Sequence, residues 1–214
     1  MTRTPARPPS APARLIGAVL RHPIGVAVKG WIREIVWRRR ARRLSNPPLT
    51  ARPRRILFLC LGNICRSPFA ALLAARRLRD RGVDAVDVVS AGLRASQAPV
   101  SPPDAVAAAA PYGIDLAGHR ARDVSADEIA GADVIVVMEV AQVDQMRARF
   151  PEAAARVHLL PLYEPGAGQR HGAREGCNLL DPFGAGPAAF GHCYRRIDAA
   201  IDALVDRVAA LPAR

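Results

Sequence analysis

The stretch Ile56-Leu57-Phe58-Leu59-Cys60-Leu61-Gly62-Asn63-Ile64-Cys65-Arg66-Ser67-Pro68 decides the fold. An apolar run breaks into a glycine-containing loop and restarts as a helix, with Pro68 in the first turn, where its missing N–H costs nothing. Between Cys60 and Arg66, the backbone N–H groups of Leu61, Gly62, Asn63, Ile64 and Cys65 can all point inward. Loop and helix N-terminus then form an anion cradle. The same positive field lowers the thiol pKa and activates Cys60 as a nucleophile. Arg66 carries a planar fork of donors matched to two phosphoryl oxygens, and it stays charged. Ser67 can donate to the thiolate, or to the sulfur as it leaves in a second step. The layout suits a thiolate attacking a phosphate.

Outward from this stretch the chain divides by charge. Up to Arg55 there are fourteen Lys and Arg against one acid, Glu34; the remainder carries seventeen against eighteen, which recovers the net +12 of the 214 residues. A basic extension, residues 1–52, therefore precedes a near-neutral domain, residues 53–214, of ordinary size. Residues 1–13, rich in Pro, Ala and Arg, read as disordered. Ile24, Val28, Trp31 and Ile35 then recur at helical spacing on one face, with Lys29, Arg33 and Arg40 opposite, so the extension contains an amphipathic helix. Arg38 to Arg43 form a basic cluster, and Asn46-Pro47-Pro48 ends the pattern.

Strand-like and helix-like segments alternate from Ile56 onward, the mark of an α/β domain with a parallel sheet. Strands are expected at Ile56–Leu59, Val86–Ser90, Val134–Met138 and Val157–Leu160, with helices after Pro68, Pro103 and Glu139. A last helix is marked by Phe190, Tyr194, Ile197, Ile201, Leu204, Val205, Val208 and Leu211. The expected architecture is three layers, a four-stranded parallel sheet flanked by helices, with the phosphate-binding loop after the first strand. Open α/β sheets place ligands beyond the carboxyl ends of their strands, where this loop lies.

Four cysteines, Cys60, Cys65, Cys177 and Cys193, make no disulfide framework, which points to a reducing cytoplasm. Cys177 and Cys193, with His171 and His192, match no common zinc spacing, so no metal is expected. No apolar run reaches the roughly 18 to 20 residues that span a bilayer.

Cys60 to Pro68 resembles the signature of the low-molecular-weight protein tyrosine phosphatases, and the resemblance runs over roughly residues 53–211. It implies hydrolysis of phosphotyrosine and other aryl phosphate monoesters through a cysteinyl-phosphate, with no cofactor. Departure of the phenolate needs a proton, which a carboxylic acid on a loop can give and later take back from water. Asp181-Pro182-Phe183 looks like the family's general-acid motif, making Asp181 the acid and Phe183 one wall of the slot for the phenyl ring. Asp115 and Asp133 read instead as a turn residue and a strand-entry residue. Ser90-Ala91-Gly92, Gly118-His119-Arg120-Ala121-Arg122 and Met138-Glu139 are similar to further family segments. In the family the residues matching Asn63, Ser90 and His119 hydrogen-bond together to hold the phosphate loop. One departure is plain: Leu93 to Pro103 contains no aromatic residue, where family members often carry the second wall of the slot.

Two other chemistries share the fold. Arsenate reductases need further cysteines near Val137 to Asp144, and none is present. Protein arginine phosphatases favour threonine at the position of Ile64, whose isoleucine suits a tyrosine-type substrate. From another class, the extension could bind nucleic acid through Arg38–Arg43 with Trp31 and Trp37 stacking on bases. Trp31 on the apolar face fits a membrane surface or a protein groove better, so the extension is expected to localise the enzyme, and peripheral membrane contact and a helix packed onto the catalytic domain stand as equal readings. The resemblance also implies phosphotyrosine proteins as partners, among them a tyrosine kinase of a polysaccharide pathway.

Overall fold

The apolar run forms β1 (Arg55–Cys60), buried from Ile56 to Cys60, in a computed structural model that describes residues 34–95, 99–167 and 175–213. A strand covered on both faces needs no polar alternation, which is why the run reads as continuous. β1 pairs in parallel with β2 (Asp87–Gly92) on one side and β3 (Val134–Val137) on the other. β4 (Val157–Leu159) completes the parallel sheet in the order β2-β1-β3-β4.

Alternate side chains of β1 feed two separate cores. Ile56, Phe58 and Cys60 face one cluster with Val134, Val136, Phe69 and Tyr194; Leu57 and Leu59 face another with Ile135, Val137, Val143 and Met146. The helices divide accordingly. On the first face lie α2 (Arg66–Asp80), α3 (Pro103–Ala109) and α6 (Pro187–Ala209); on the second lie α4 (Ala126–Gly131) and α5 (Val140–Arg149). The chain is thus the expected three-layer α/β domain.

In α6 the 3-and-4 repeat is buried from Phe190 to Val208, and Phe69 of α2 stacks on Tyr194 at a centroid distance of 3.9 Å. Such a pair adds about 0.5–1.5 kcal/mol beyond its buried area. The helix stops at Ala209, short of Leu211, because the residue preceding a proline, here Pro212, is driven out of the helical region. β2 runs two residues past the expected Ser90, since Ala91 and Gly92 pair with Leu59 and Cys60.

The described part of the extension begins with helical residues 34–41, here α1. Ala41 is fully buried, and Trp37 and Leu44 pack against the second core. Arg40 pairs with Asp144 of α5 at 2.5 Å. Asn46 imitates a neighbouring strand on β4: its Oδ1 accepts from Leu159 N at 2.8 Å and its Nδ2 donates to Leu159 O at 3.2 Å. An edge strand is covered in this way. Contacts therefore cross the charge boundary at residues 52/53. Residues 1–13, and Ile24, Val28, Lys29, Trp31 and Arg33 of the amphipathic pattern, lie outside the described residues. No helix among the described residues is long and apolar enough to cross a membrane.

Candidate active site

Cys60 ends β1 and Arg66 opens α2, so residues 61–65 must close a tight loop. Asn63 takes φ +54°, the left-handed region that asparagine tolerates better than most residues. That turn aims Asn63 N at Cys60 Sγ, 3.2 Å away, while Ser67 Oγ lies 3.1 Å from the same sulfur. A thiolate would accept from both.

The loop is held from beneath. Asn63 Nδ2 donates to Ser67 Oγ and to Ser90 Oγ, both at 3.0 Å, and its Oδ1 accepts from Arg122 N at 3.1 Å. Its carbonyl, which can only accept, lies 2.7 Å from His119 Nε2, so that nitrogen carries the proton. Burial lowers the pKa of His119, outweighing this bond, and Arg122 and Arg120 add to the lowering. The contact requires a proton on Nε2, and the lowered pKa favours the neutral ring that carries it there. Tyr194 of α6 donates its hydroxyl to the Cys65 carbonyl at 3.1 Å.

Arg66 is fully buried. Its Nη1 donates to the Leu179 carbonyl at 2.8 Å and to Glu139 Oε1; its Nη2 meets Asp181 Oδ2 at 2.7 Å. Burial alone would lower its pKa, but Cys60, Asp181 and Glu139 outweigh it and hold the guanidinium above its ordinary value. Arg66 Nε is buried with no hydrogen-bond partner among the described residues. An unmet donor of this kind is costly unless a ligand completes it.

These groups open on a cavity of about 420 Å³. Cys60, Leu61, Gly62, Ile64, Cys65 and Arg66 line its floor, and Asp181 and Phe183, together with Arg94 and Ala95, line the rest. Asn63 and Ser67, expected among the substrate contacts, are fully buried and do not line it. Their side chains brace the loop instead. The Cys65 thiol is pushed up to about 12, chiefly by burial, so any part it takes in holding an anion falls to its backbone.

Asp115 and Asp133 sit where a turn and a strand entry put them. Asp115 Oδ1 accepts from Ala117 N at 2.8 Å, and Asp133 Oδ2 accepts from Arg54 N and Arg55 N at 2.7 and 3.1 Å. Among the described residues no group of three or more His, Cys, Asp or Glu could hold a metal; His171 lies outside them. Sequence reasoning assigned no role to Glu139, the Leu179 carbonyl, Arg94 or the Tyr194 hydroxyl. The only signal for them was the Met138-Glu139 pair directly after a strand.

The family described as low molecular weight phosphotyrosine protein phosphatase matches residues 55–212, and the chain belongs to it. A probable low molecular weight protein-tyrosine-phosphatase EpsP from Ralstonia nicotianae is 34% identical over 156 residues, covering 73% of this chain and 97% of that one. A protein-arginine-phosphatase from Geobacillus stearothermophilus is 33% identical over 157 residues, covering 73% and 95%. Among solved structures, the tyrosine phosphatase Wzb from Escherichia coli K30 in complex with sulphate superimposes with a TM-score of 0.61 at 26% identity, over 72% of this chain and 97% of that one.

Proposed function

We propose that this chain hydrolyses phosphotyrosine monoesters in two steps. Cys60 Sγ attacks phosphorus; the S–P bond forms as the P–O bond to the phenolate breaks, and Asp181 gives that oxygen its proton. Water then attacks the cysteinyl-phosphate, Asp181 takes the proton, and Ser67 donates to the leaving sulfur. Arg66 and the loop N–H groups hold the phosphoryl oxygens through both steps, where charge builds in the transition state. The observation that carries the reading is the convergence of Cys60, Arg66 and Asp181 on one cavity, with Arg66 keeping an unmet buried donor there.

Similarity to a protein-arginine-phosphatase supports a second reading, phosphoarginine hydrolysis by the same machinery. Ile64, which lines the cavity, has no hydroxyl to offer a guanidinium, and this favours the aryl substrate. Turnover of phosphotyrosine, phosphoarginine, phosphoserine and arsenate by the purified chain separates the readings. Phosphotyrosine is expected to lead; a lead for phosphoarginine would overturn the assignment.

The proposed partners are phosphotyrosine proteins, a polysaccharide-pathway tyrosine kinase among them, met in the cytoplasm or at the inner face of a membrane. The excess of thirteen positive charges before residue 56 supports electrostatic contact with anionic lipid. Trp37, however, is partly buried against the domain core, which leaves less of it to stack on bases. Co-sedimentation with anionic vesicles at rising salt tests the membrane contact, and negligible binding at low salt would remove it.

A further inference from the structure

The cavity wall that follows β2 is a strap fixed to the phosphate loop. Leu93 N donates to the Cys60 carbonyl at 2.9 Å and Arg94 N to the Leu61 carbonyl at 3.0 Å. Ala95 N donates to Asp123 Oδ1 at 2.6 Å, and Arg149 Nη1 to the Leu93 carbonyl at 2.9 Å. The strap lies so close that a Cβ on Gly92 would meet the Leu61 carbonyl oxygen at 2.9 Å. Four hydrogen bonds over three residues therefore fix where the Arg94 side chain starts.

That side chain is exposed, lines the cavity and forms no ion pair with a described acid. Asp123 is occupied by a backbone N–H, and Asp181, the only acid among the described residues that line the cavity, is paired with Arg66. An exposed cation with no ion pair among the described residues stands where the sequence lacks the expected aromatic wall. A tyrosine whose phosphoryl group sat in the loop would run its ring out along this cavity and bring its flanking residues to the mouth beside Arg94.

Resting on the phosphotyrosine reading, we infer that Arg94 selects phosphotyrosines flanked by acidic side chains. It acts by charge at the mouth, away from the reacting atoms. An exposed pair of this kind is worth about a three- to five-fold preference at moderate salt, falling as salt rises.

The test is the ratio of kcat/KM for two phosphotyrosine peptides that differ only in Glu against Gln beside the tyrosine. A general loss of activity or of folded protein leaves this ratio unmoved. It should be about three to five for the full wild-type chain, about one for Arg94→Ala, below one for Arg94→Glu, and close to wild type for Arg94→Lys. The same ratio in wild type and Arg94→Glu, with both peptides turned over, would overturn the inference and leave the phosphotyrosine reading standing. Failure of the wild type on both peptides would overturn both.

Discussion

Asp181 Oδ2 stands 2.7 Å from Arg66 Nη2, so the proposed general acid is bound to the guanidinium proposed to hold the substrate. The Arg66 side chain is 2% exposed and that of Asp181 43%, which makes Asp181 the partner free to move. A phosphate dianion and the Asp181 carboxylate would compete for the same guanidinium. Substrate binding then replaces one anion with another and releases the acid toward the leaving group.

Asp181→Asn should therefore act in two directions. Turnover of aryl phosphates with poor leaving groups should fall by about 10² to 10⁴, and less for activated ones. Inorganic phosphate, measured as a competitive inhibitor, should bind more tightly, because the competing carboxylate is gone. Equal rate losses across leaving-group pKa with unchanged inhibition would leave Asp181 only a structural part.

Glu139 fixes the other side of Arg66, together with the Leu179 carbonyl. Loss of one charge-assisted hydrogen bond predicts that Glu139→Ala lowers kcat/KM by about 10- to 100-fold. Glu139→Gln, which can still accept from Nη1, should recover part of it. Arg66→Lys should fail more severely, because one ammonium cannot make the parallel bonds of the fork. Steady-state kinetics of the three variants on one aryl phosphate check the ranking.

His158 is buried on β4 with Nδ1 2.7 Å from the Tyr163 hydroxyl, and burial lowers its pKa from 6.5 to about 4. The folded chain thus keeps the imidazole neutral where the unfolded chain would protonate it. Stability from this group is complete above the unfolded value and declines as pH falls from about 6.5 to about 4, by about 3 kcal/mol in all. Urea unfolding across that window should show a shallower decline in His158→Gln than in wild type. Parallel declines would mean that His158 is not the group responsible.

Truncation tests how far the extension belongs to the fold. A chain beginning at residue 34 keeps every described contact between the extension and the domain. One beginning at Ala51 loses the Arg40–Asp144 pair, both Asn46 bonds and the packing of Trp37, Ala41 and Leu44. The expected cost is about 3 kcal/mol, a Tm lower by roughly 5 to 10 °C. Activity should survive at low temperature, because residues 34–50 do not line the catalytic cavity. Equal Tm for the two truncated chains would show that the contacts contribute little.

Strand, loop and helix at the site were legible because the chemistry is contiguous: Cys60 to Pro68 carries turn, cradle and charge within nine residues. The far ends of its contacts were not. Arg66 meets Glu139 across 73 residues and the Leu179 carbonyl across 113, and a main-chain carbonyl has no sequence signature. Ala91 and Gly92 do not read as strand because small residues carry little apolar signal, although pairing with β1 makes them part of β2. The role of Asn46 was hidden for another reason: beside two prolines it reads as a breaker, and only the fold brings it to Leu159. Arg94 carries no signal of its own, because a lone arginine in a loop reads as solvated.

If Cys60 supplies the nucleophile inside a cradle that binds phosphate without it, catalysis and anion binding separate on losing the thiol. The direct measurement compares wild type with Cys60→Ser in turnover of an aryl phosphate and in calorimetric binding of inorganic phosphate. Serine keeps the loop geometry and Arg66 but is far less ionised than a thiol, so turnover should vanish while phosphate still binds. Substantial residual turnover in Cys60→Ser, measured on protein that still binds phosphate, would contradict the account.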